Sequence, residues 1–294
     1  MTTRRGIVLA GGSGTRLAPV SGMINKQLLP VYDKPMIYYP ISVLMLANIR
    51  DILLVSTPRD LPLFRDHFGK GQKLGVNFEY REQNKPNGIA EAFLIGADFI
   101  GNHNSALVLG DNIFYGHGFT DTLMQASSRE SGATIFSYPV LDPSRFGIVE
   151  VNESGHAVSM EEKPASPRSN SAVVGLYFYD SQVVEFARSI ERSHRGELEI
   201  TDINKCYLER GQLRVERLGR GFAWLDTGTF GSLLDASNYV ATIQRRQGLQ
   251  IACLEEIAFG KGWIDIDQLL EHAETMRGSE YGHYLMELAR NAHR

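Results

Sequence analysis

Leu9-Ala10-Gly11-Gly12-Ser13-Gly14-Thr15-Arg16-Leu17 follows directly on a short apolar run, Gly6-Ile7-Val8-Leu9, of the length and composition of one buried strand. Three glycines within four residues then permit positive φ and let backbone amides come close to a ligand. Successive amides in such a loop form a concave anion site. Arg16 adds a planar fork of donors suited to phosphate oxygens. The stretch reads as a strand followed by a phosphate-cradling loop. Two familiar phosphate loops are excluded by single residues. A Walker A loop ends in Gly-Lys-Ser/Thr, and this one ends Gly14-Thr15-Arg16. A dinucleotide fingerprint needs a third glycine where Leu17 stands. The bland alternative is a tight turn without a ligand.

Working outward, strand-like and helical stretches alternate. Met36 to Arg50 reads as a helix behind Pro35, and Asp51 to Ser56 as a buried strand. Val76 to Tyr80 is a short strand, Gly88 to Ile100 a helix, and Ser105 to Leu109 a third buried strand ending in Gly110-Asp111-Asn112. This alternation predicts a largely parallel sheet covered on both faces, with ligands at the carboxyl ends of its strands. Both glycine-containing stretches stand at such ends. Ala133 to Val140, Gly147 to Val151, Val173 to Tyr179 and Leu213 to Leu218 read as further strands, with Pro164 to Asn170 as a surface loop. Asp202 to Arg210 and Leu233 to Gln247 read as helices, and the residues after about Gly248 as a mostly helical appendage.

The chain has 294 residues, which suits one large α/β domain with an appendage, and 43 % hydrophobic residues, which suits a packed core. A formal net charge of -4 without a basic tail gives no reason to expect nucleic-acid or membrane binding. No apolar run approaches membrane-spanning length, and the start, Met1-Thr2-Thr3-Arg4-Arg5 and one short strand, is too short for a signal-peptide core. Cys206 and Cys253 are far apart, in no metal-like spacing, and fit plain core thiols in a reducing cytosol. Asn152-Glu153-Ser154 then matches a glycosylation pattern by chance. His117 and His156 read as surface residues, and no pattern points to a covalent nucleophile.

Several residues could carry chemistry, each with a plainer alternative. Asp111, past a buried strand and beside the phosphate loop, is a natural Mg²⁺ ligand or else a loop-capping residue. Asp226, in Trp224-Leu225-Asp226-Thr227-Gly228-Thr229, is a second metal ligand or a turn residue. Lys26 could hold a phosphate or simply be solvated. Glu161-Glu162-Lys163-Pro164 is a charged strand edge or a sugar-phosphate site, and Gly196 to Asp202 a capped helix start or part of such a site.

With these residues in view the chain resembles the sugar nucleotidyltransferases, and most specifically their thymidylyl members. The matching stretches are Leu9 to Leu17, Lys26 to Pro40, Leu109 to Asn112, Glu161 to Pro164, Gly175 to Asp180, Arg195 to Asp202 and Trp224 to Thr229, in order through most of the chain. The first loop is common to the whole family. Lys26 to Pro40 together with Arg195 to Asp202 is more particular to the thymidylyl group. The resemblance implies a three-layer Rossmann-like α/β fold with a mixed, mostly parallel sheet, a small β sugar-binding region and a helical C-terminal appendage. Residues 1–240 would be the nucleotidyltransferase core and 241–294 a helical region for oligomerisation or regulation.

The implied reaction joins dTTP and glucose 1-phosphate to give dTDP-glucose and pyrophosphate by in-line attack of the sugar phosphate, opening dTDP-rhamnose or deoxysugar synthesis. The nucleophile is already ionised, so positioning and charge neutralisation suffice. Arg16, Lys26 and Asp111 would be catalytic, with Mg²⁺ on Asp111 and Asp226. Leu9, Gly11, Gly12, Ser13, Gly14, Thr15, Arg16 and Lys26 would hold the nucleotide, with Pro86, and Gln27, Gln83 and Gly88 would read the base. Lys163 and Arg195 would anchor the sugar phosphate, and Asn112, Gly147, Glu162 and Val174 would line the sugar. The family is typically tetrameric and inhibited by dTDP-rhamnose at a second site, which Tyr115, Gly116, Cys253, Glu256 and Ile257 match. Departures from the family pattern are Glu91 for glutamine, Phe146 for tyrosine, Phe230-Gly231 for His-Asp, and Gly260 for arginine. A sister enzyme using UTP or another sugar 1-phosphate, and a silent sugar-nucleotide sensor on the same fold, are the competing expectations.

Overall fold

A computed structural model describes residues 4–12 and 14–292. Ser13, expected in the phosphate loop, lies outside the described residues, as does Met1-Thr2-Thr3.

Thirteen strands occur along the described chain: β1 Arg5–Leu9, β2 Pro30–Val31, β3 Lys34–Pro35, β4 Asp51–Ser56, β5 Asn77–Glu82, β6 Ser105–Leu109, β7 Asn112–Tyr115, β8 Ala133–Pro139, β9 Gly147–Val151, β10 Ala157–Glu162, β11 Ser171–Tyr179, β12 Leu213–Arg217 and β13 Ala223–Asp226. Nine of them form one sheet in the order β10-β9-β11-β6-β1-β4-β5, with β8 also on β11 and β12 on β8. Seven of the nine point the same way, and only β10 and β11 run against them. The sheet is therefore mixed and mostly parallel, as expected.

Alternation along β1 sends Ile7 to one face and Val8 to the other. Ile7 joins a buried cluster with Leu53, Phe93, Leu107 and Tyr179. Val8 joins one with Ile41, Leu54, Val108 and Phe178. Both faces are dry because helices cover both, which gives the three layers.

The helix expected from Met36 to Arg50 spans Tyr38–Leu46. Pro40 sits in its first turn, where its missing N–H costs nothing. Asn48, at φ 63°, takes the left-handed conformation that stops the helix, and the Ile49 amide donates back to the Leu44 carbonyl. The helix expected from Gly88 to Ile100 begins only at Glu91 and is broken at Gly96 into Glu91–Ile95 and Ala97–Ile100. Gly88 is excluded because its φ of +111° is not helical. Its neighbours are bound to Leu198 instead, with Leu198 N donating to Asn87 O and Ala90 N to Leu198 O. Helices over Leu61–Phe68, Phe119–Ser128 and Val183–Ser189 were not legible as periodic runs.

The C-terminal region is helical but not a loose appendage. A capping box of Thr229 and Ser232 starts the helix Phe230–Gln247, which runs through residue 240. Helices Leu254–Gly260, Ile266–Thr275 and Glu280–Ala292 follow. Their Leu254, Ala258, Leu269, Ala273 and Leu285 belong to the same buried cluster as Val8 and Phe178. Cys253 is buried and Cys206 only partly so, and both are free. His117 and His156 are exposed.

Candidate active site

Adjacent parallel strands bring the two glycine-bearing ends together. Leu9 pairs with Leu109 across β1 and β6, and Gly110 N donates to Leu9 O. Past Leu9, Gly12 (φ +99°) and Gly14 (φ +57°) take backbone conformations that side chains resist. Only a three-residue 3-10 turn, Thr15–Leu17, follows. The loop therefore offers its own amides and the exposed Arg16 rather than a long helix dipole.

Lys26 and Gln27 arrive on another short turn, Lys26–Leu28, capped by Asn25, whose side chain accepts from Gln27 N and donates to Asp60 Oδ2 at 2.8 Å. This fixes the aim of Lys26, whose Nζ lies 2.6 Å from Asp111 Oδ2. The other oxygen of Asp111 accepts from Asn112 Nδ2 at 2.8 Å. Asn112 is itself immobilised, since its Oδ1 accepts from Trp224 Nε1 at 2.6 Å and Gly175 N at 3.1 Å.

Asp226 reaches the same place by a separate pairing. β13 runs antiparallel to β7 with Asp226 opposite Asn112, and Thr227 N and Oγ1 both donate to Asp111 O. Asp226 thus ends the small β7–β13 ladder next to Asp111, which directly precedes β7. Among the described residues no cluster of three or more His, Cys, Asp or Glu could cage a metal. Two carboxylates next to a phosphate loop are the donor set expected for Mg²⁺, which keeps waters and substrate phosphates as its other ligands.

Two cavities meet over this centre. One, of about 330 Å³, is lined by Leu9, Gly11, Gly12, Arg16, Gln27, Gln83, Pro86, Gly88, Ile89, Leu109, Asp111 and Glu197. The other, of about 500 Å³, is lined by Asn112, Arg145, Phe146, Gly147, Glu162, Lys163, Val173, Gly175, Tyr177, Ile200, Thr201, Trp224 and Asp226, and shares Arg16, Ile89, Leu109 and Asp111 with the first. The expected base-reading residues fall in the first cavity and most of the expected sugar residues in the second. The residues common to both form the junction between the two cavities.

In the second cavity Glu162 Oε2 accepts from Thr201 Oγ1 at 2.5 Å, and Lys163 Nζ lies 3.7 Å from Glu162 Oε1. Lys163 takes φ +44°, and its amide donates to Phe146 O, which turns its exposed side chain over the site. Burial, and then the charge of Glu162, push the Tyr177 phenol up, so it is a neutral hydroxyl at any physiological pH.

Two expected sugar-site residues do not line the second cavity with their side chains. The side chain of Val174 is fully buried in the cluster on the opposite face of β11, while Val173 and Gly175 line the cavity. Period-two alternation makes that unavoidable once Val173 faces the site. Arg195 does not line either cavity but stands beside the second: Glu199 accepts from its Nε at 3.1 Å and its Nη2 at 2.8 Å, Glu197 lies 3.2 Å from Nη2, and the same Nη2 lies 3.5 Å from Glu162 Oε1. Glu197 and Thr201 lie within the Gly196 to Asp202 stretch read as a possible sugar site, whereas Arg145 was not singled out. Arg145 lies 3.7 Å from Asp226 Oδ2 and precedes Phe146, with no pattern in sequence to mark it. Tyr115 and Gly116 end β7 and begin the turn after it. Tyr115 packs in a cluster with Ile251 and Ala252, just before Cys253, Glu256 and Ile257. The Cys253 side chain is buried.

A nucleotidyl transferase family model matches residues 5–243. Curated relatives named glucose-1-phosphate thymidylyltransferase include one from Xanthomonas campestris pv. campestris, 58 % identical over 290 residues, covering 99 % of this chain and 98 % of its own. Another from Neisseria meningitidis is 58 % identical over 284 residues, covering 97 % and 99 %. Among solved structures, a Bacillus anthracis protein described as a glucose-1-phosphate thymidylyltransferase, in complex with sucrose, superposes with a TM-score of 0.75 at 39 % identity over 81 % of this chain and 95 % of that one. A UDP-glucose pyrophosphorylase complexed with UDP-glucose superposes at 0.73 with 25 % identity over 82 % and 99 %.

Proposed function

The chain belongs to the nucleotidyl transferase family, and we propose that its two joined cavities carry out thymidylyl transfer from dTTP to glucose 1-phosphate, releasing pyrophosphate and dTDP-glucose. The observation that carries this is the placement of Arg16 and Asp111 at the junction of the base-side and sugar-side cavities.

dTTP takes the first cavity with its base toward Gln83 and Gly88 and its phosphates over the amides of Gly11 to Thr15 and the guanidinium of Arg16. Glucose 1-phosphate takes the second, its hydroxyls near Glu162 and Asn112 and its phosphate near Lys163. The phosphate oxygen attacks the α-phosphorus in line while pyrophosphate leaves. A monoester phosphate is ionised at neutral pH, so no side chain need remove a proton, and the carboxylates that line the cavities are free to bind a cation and sugar hydroxyls instead. Arg16, Lys26 and Lys163 bring anionic groups together that would repel in water, and their fixed positions supply proximity and charge neutralisation. Asp111 and Asp226 would hold Mg²⁺, which supplies further neutralisation of phosphate charge. Lys26 lines neither cavity and reaches their junction through its 2.6 Å salt bridge to Asp111.

The helical region after residue 240 would serve association into a homotetramer. Tyr115, Gly116, Glu256 and Ile257 would take dTDP-rhamnose as a feedback inhibitor, with Cys253 supporting the start of the helix that carries the last two. The common packing of Tyr115 with Ile251 and Ala252 supports this grouping. Light scattering, and inhibition curves with dTDP-rhamnose, check these two points.

Pyrophosphate release from dTTP and glucose 1-phosphate, with and without Mg²⁺ and against a UTP control, tests the reaction. Metal-dependent release favouring dTTP is expected. A preference for UTP would move the chain to the sister activity, and binding without release to the sensor.

A further inference from the structure

Gln83 is 5 % exposed and lines the base-side cavity. An isolated glutamine amide can face a ligand with either its carbonyl or its NH₂ group, and the two orientations recognise opposite base edges. Here the choice is forced. Gln83 Nε2 donates to Glu91 Oε2 at 2.8 Å, and the Gly88 carbonyl lies 3.5 Å from the same nitrogen. An ionised carboxylate only accepts, so it can face only the NH₂ group. Glu91 is held in turn, because its Oε1 accepts from Asn87 Nδ2 at 2.7 Å. Gln83 Oε1 consequently points the other way, against the phosphate loop: a Cβ placed on Gly11 would lie 2.6 Å from it. Among the described residues no group donates to that oxygen.

Resting on the reading of the first cavity as the base site, we infer that Glu91 is a positioning residue that sets nucleotide specificity by locking Gln83 with its carbonyl toward the base. A fixed acceptor there suits a pyrimidine whose ring nitrogen carries a proton, as in thymine or uracil. Cytosine presents a lone pair at the same ring nitrogen, so two acceptors would face each other in a desolvated site, each left unpaired. A site built to accept a hydrogen bond rejects the analogue that lacks the donor far more strongly than a greasy pocket rejects a methyl group. Glu91 does not touch the base in this arrangement; it acts through Gln83. The contact does not separate thymine from uracil, which share this edge.

The test is the ratio of kcat/KM for dTTP to that for dCTP, at saturating glucose 1-phosphate, in the wild type, Glu91→Leu and Glu91→Gln. Leucine removes both acceptors and frees the amide to turn over. Glutamine keeps one acceptor but puts an NH₂ group opposite one of its two partners. The ratio is expected to fall about tenfold or more in Glu91→Leu and by a smaller factor in Glu91→Gln, while the KM for glucose 1-phosphate stays at the wild-type value. A folded Glu91→Leu enzyme with the wild-type ratio, or one that loses both nucleotides equally, overturns the inference. If Glu91→Leu does not fold, Glu91→Ala, which also removes both acceptors without adding bulk, decides, and an unchanged ratio overturns it. A wild type that does not favour dTTP over dCTP is a different failure, that of the base-site reading itself.

Discussion

Lys26 Nζ lies 2.6 Å from Asp111 Oδ2, and that one contact joins the turn behind the phosphate loop to the carboxyl end of β6. Its two partners are unequally hidden, the lysine side chain 10 % exposed and the aspartate 31 %. The pair is therefore screened on one side only, with Asp111 at the junction of the two cavities and Lys26, which lines neither, behind it. Substrate phosphates and a cation would each take over one half of it.

Asp111→Asn keeps the shape and the Asn112 contact but removes the negative charge. Pyrophosphate release should fall about a thousandfold, the scale on which a single charge-stabilising group acts. Stability should drop by about 1–3 kcal/mol, because the lysine left behind is the more hidden partner of the pair. Turnover assays beside a thermal melt check both parts; near-normal turnover would remove Asp111 from the metal assignment.

Lys163→Ala should act mainly on the sugar phosphate. Loss of one charge-assisted hydrogen bond costs about 1.5–3 kcal/mol, so the KM for glucose 1-phosphate should rise about 10- to 100-fold. The apparent affinity for dTTP should change little. Steady-state kinetics with each substrate varied in turn measure this, and equal effects on both substrates would contradict it.

Gly88→Ala should be costly although the added methyl is small. The backbone at +111° disfavours any side chain, and the new Cβ would lie 2.3 Å from Leu198 O and 2.5 Å from Leu198 N. A destabilisation of about 2 kcal/mol or more, with weakened dTTP binding, is expected. A melt and a nucleotide titration by calorimetry report the two effects. A wild-type Tm would mean that the 86–90 turn relaxes freely.

Glu256 gives a pH-dependent prediction. Burial raises its pKa above the ordinary 4.5, against the lowering effect of a hydrogen bond from Tyr284. The folded chain then takes up this proton at a higher pH than the unfolded chain does. Between 4.5 and the raised value the folded state binds more protons, so stability falls as pH rises through that window. Glu256→Gln removes the penalty. Its Tm should exceed that of the wild type at pH 7 and match it near pH 4, as scanning calorimetry across that range would show. A Tm difference that does not change with pH would refute the burial argument.

Much of this protein is written in local sequence. Apolar runs such as Ile52-Leu53-Leu54-Val55 bury on both sides because they have no polar face, so the parallel half of the sheet follows from composition alone. Glycines at Gly12 and Gly14 mark backbone that side chains resist, and the loop could be located without a structure. Arg16, Asp111, Lys163 and Asp226 stand out in sequence for the same reason, each beside a glycine turn or a strand end, whereas Lys26 stands on a short 3-10 turn without that mark.

Tertiary structure decided what those residues face. Val173 rather than Val174 lines the sugar side because pairing of β11 with its neighbours sets the phase of alternation, and phase is a property of the sheet rather than of the segment. Arg195 looks available in sequence, but Glu199, four residues on along a bent chain, shares it with Glu162, 3.5 Å from the same nitrogen. Arg145 arrives beside Asp226 from a turn with no periodic signal. The orientation of the Gln83 amide depends on Glu91 and Asn87, which side-chain types alone cannot assign because glutamine is both donor and acceptor. Sequence therefore determined which groups are present and where the chain must turn. Distances between groups far apart in sequence are set by strand register and core packing, and only the folded chain fixes them.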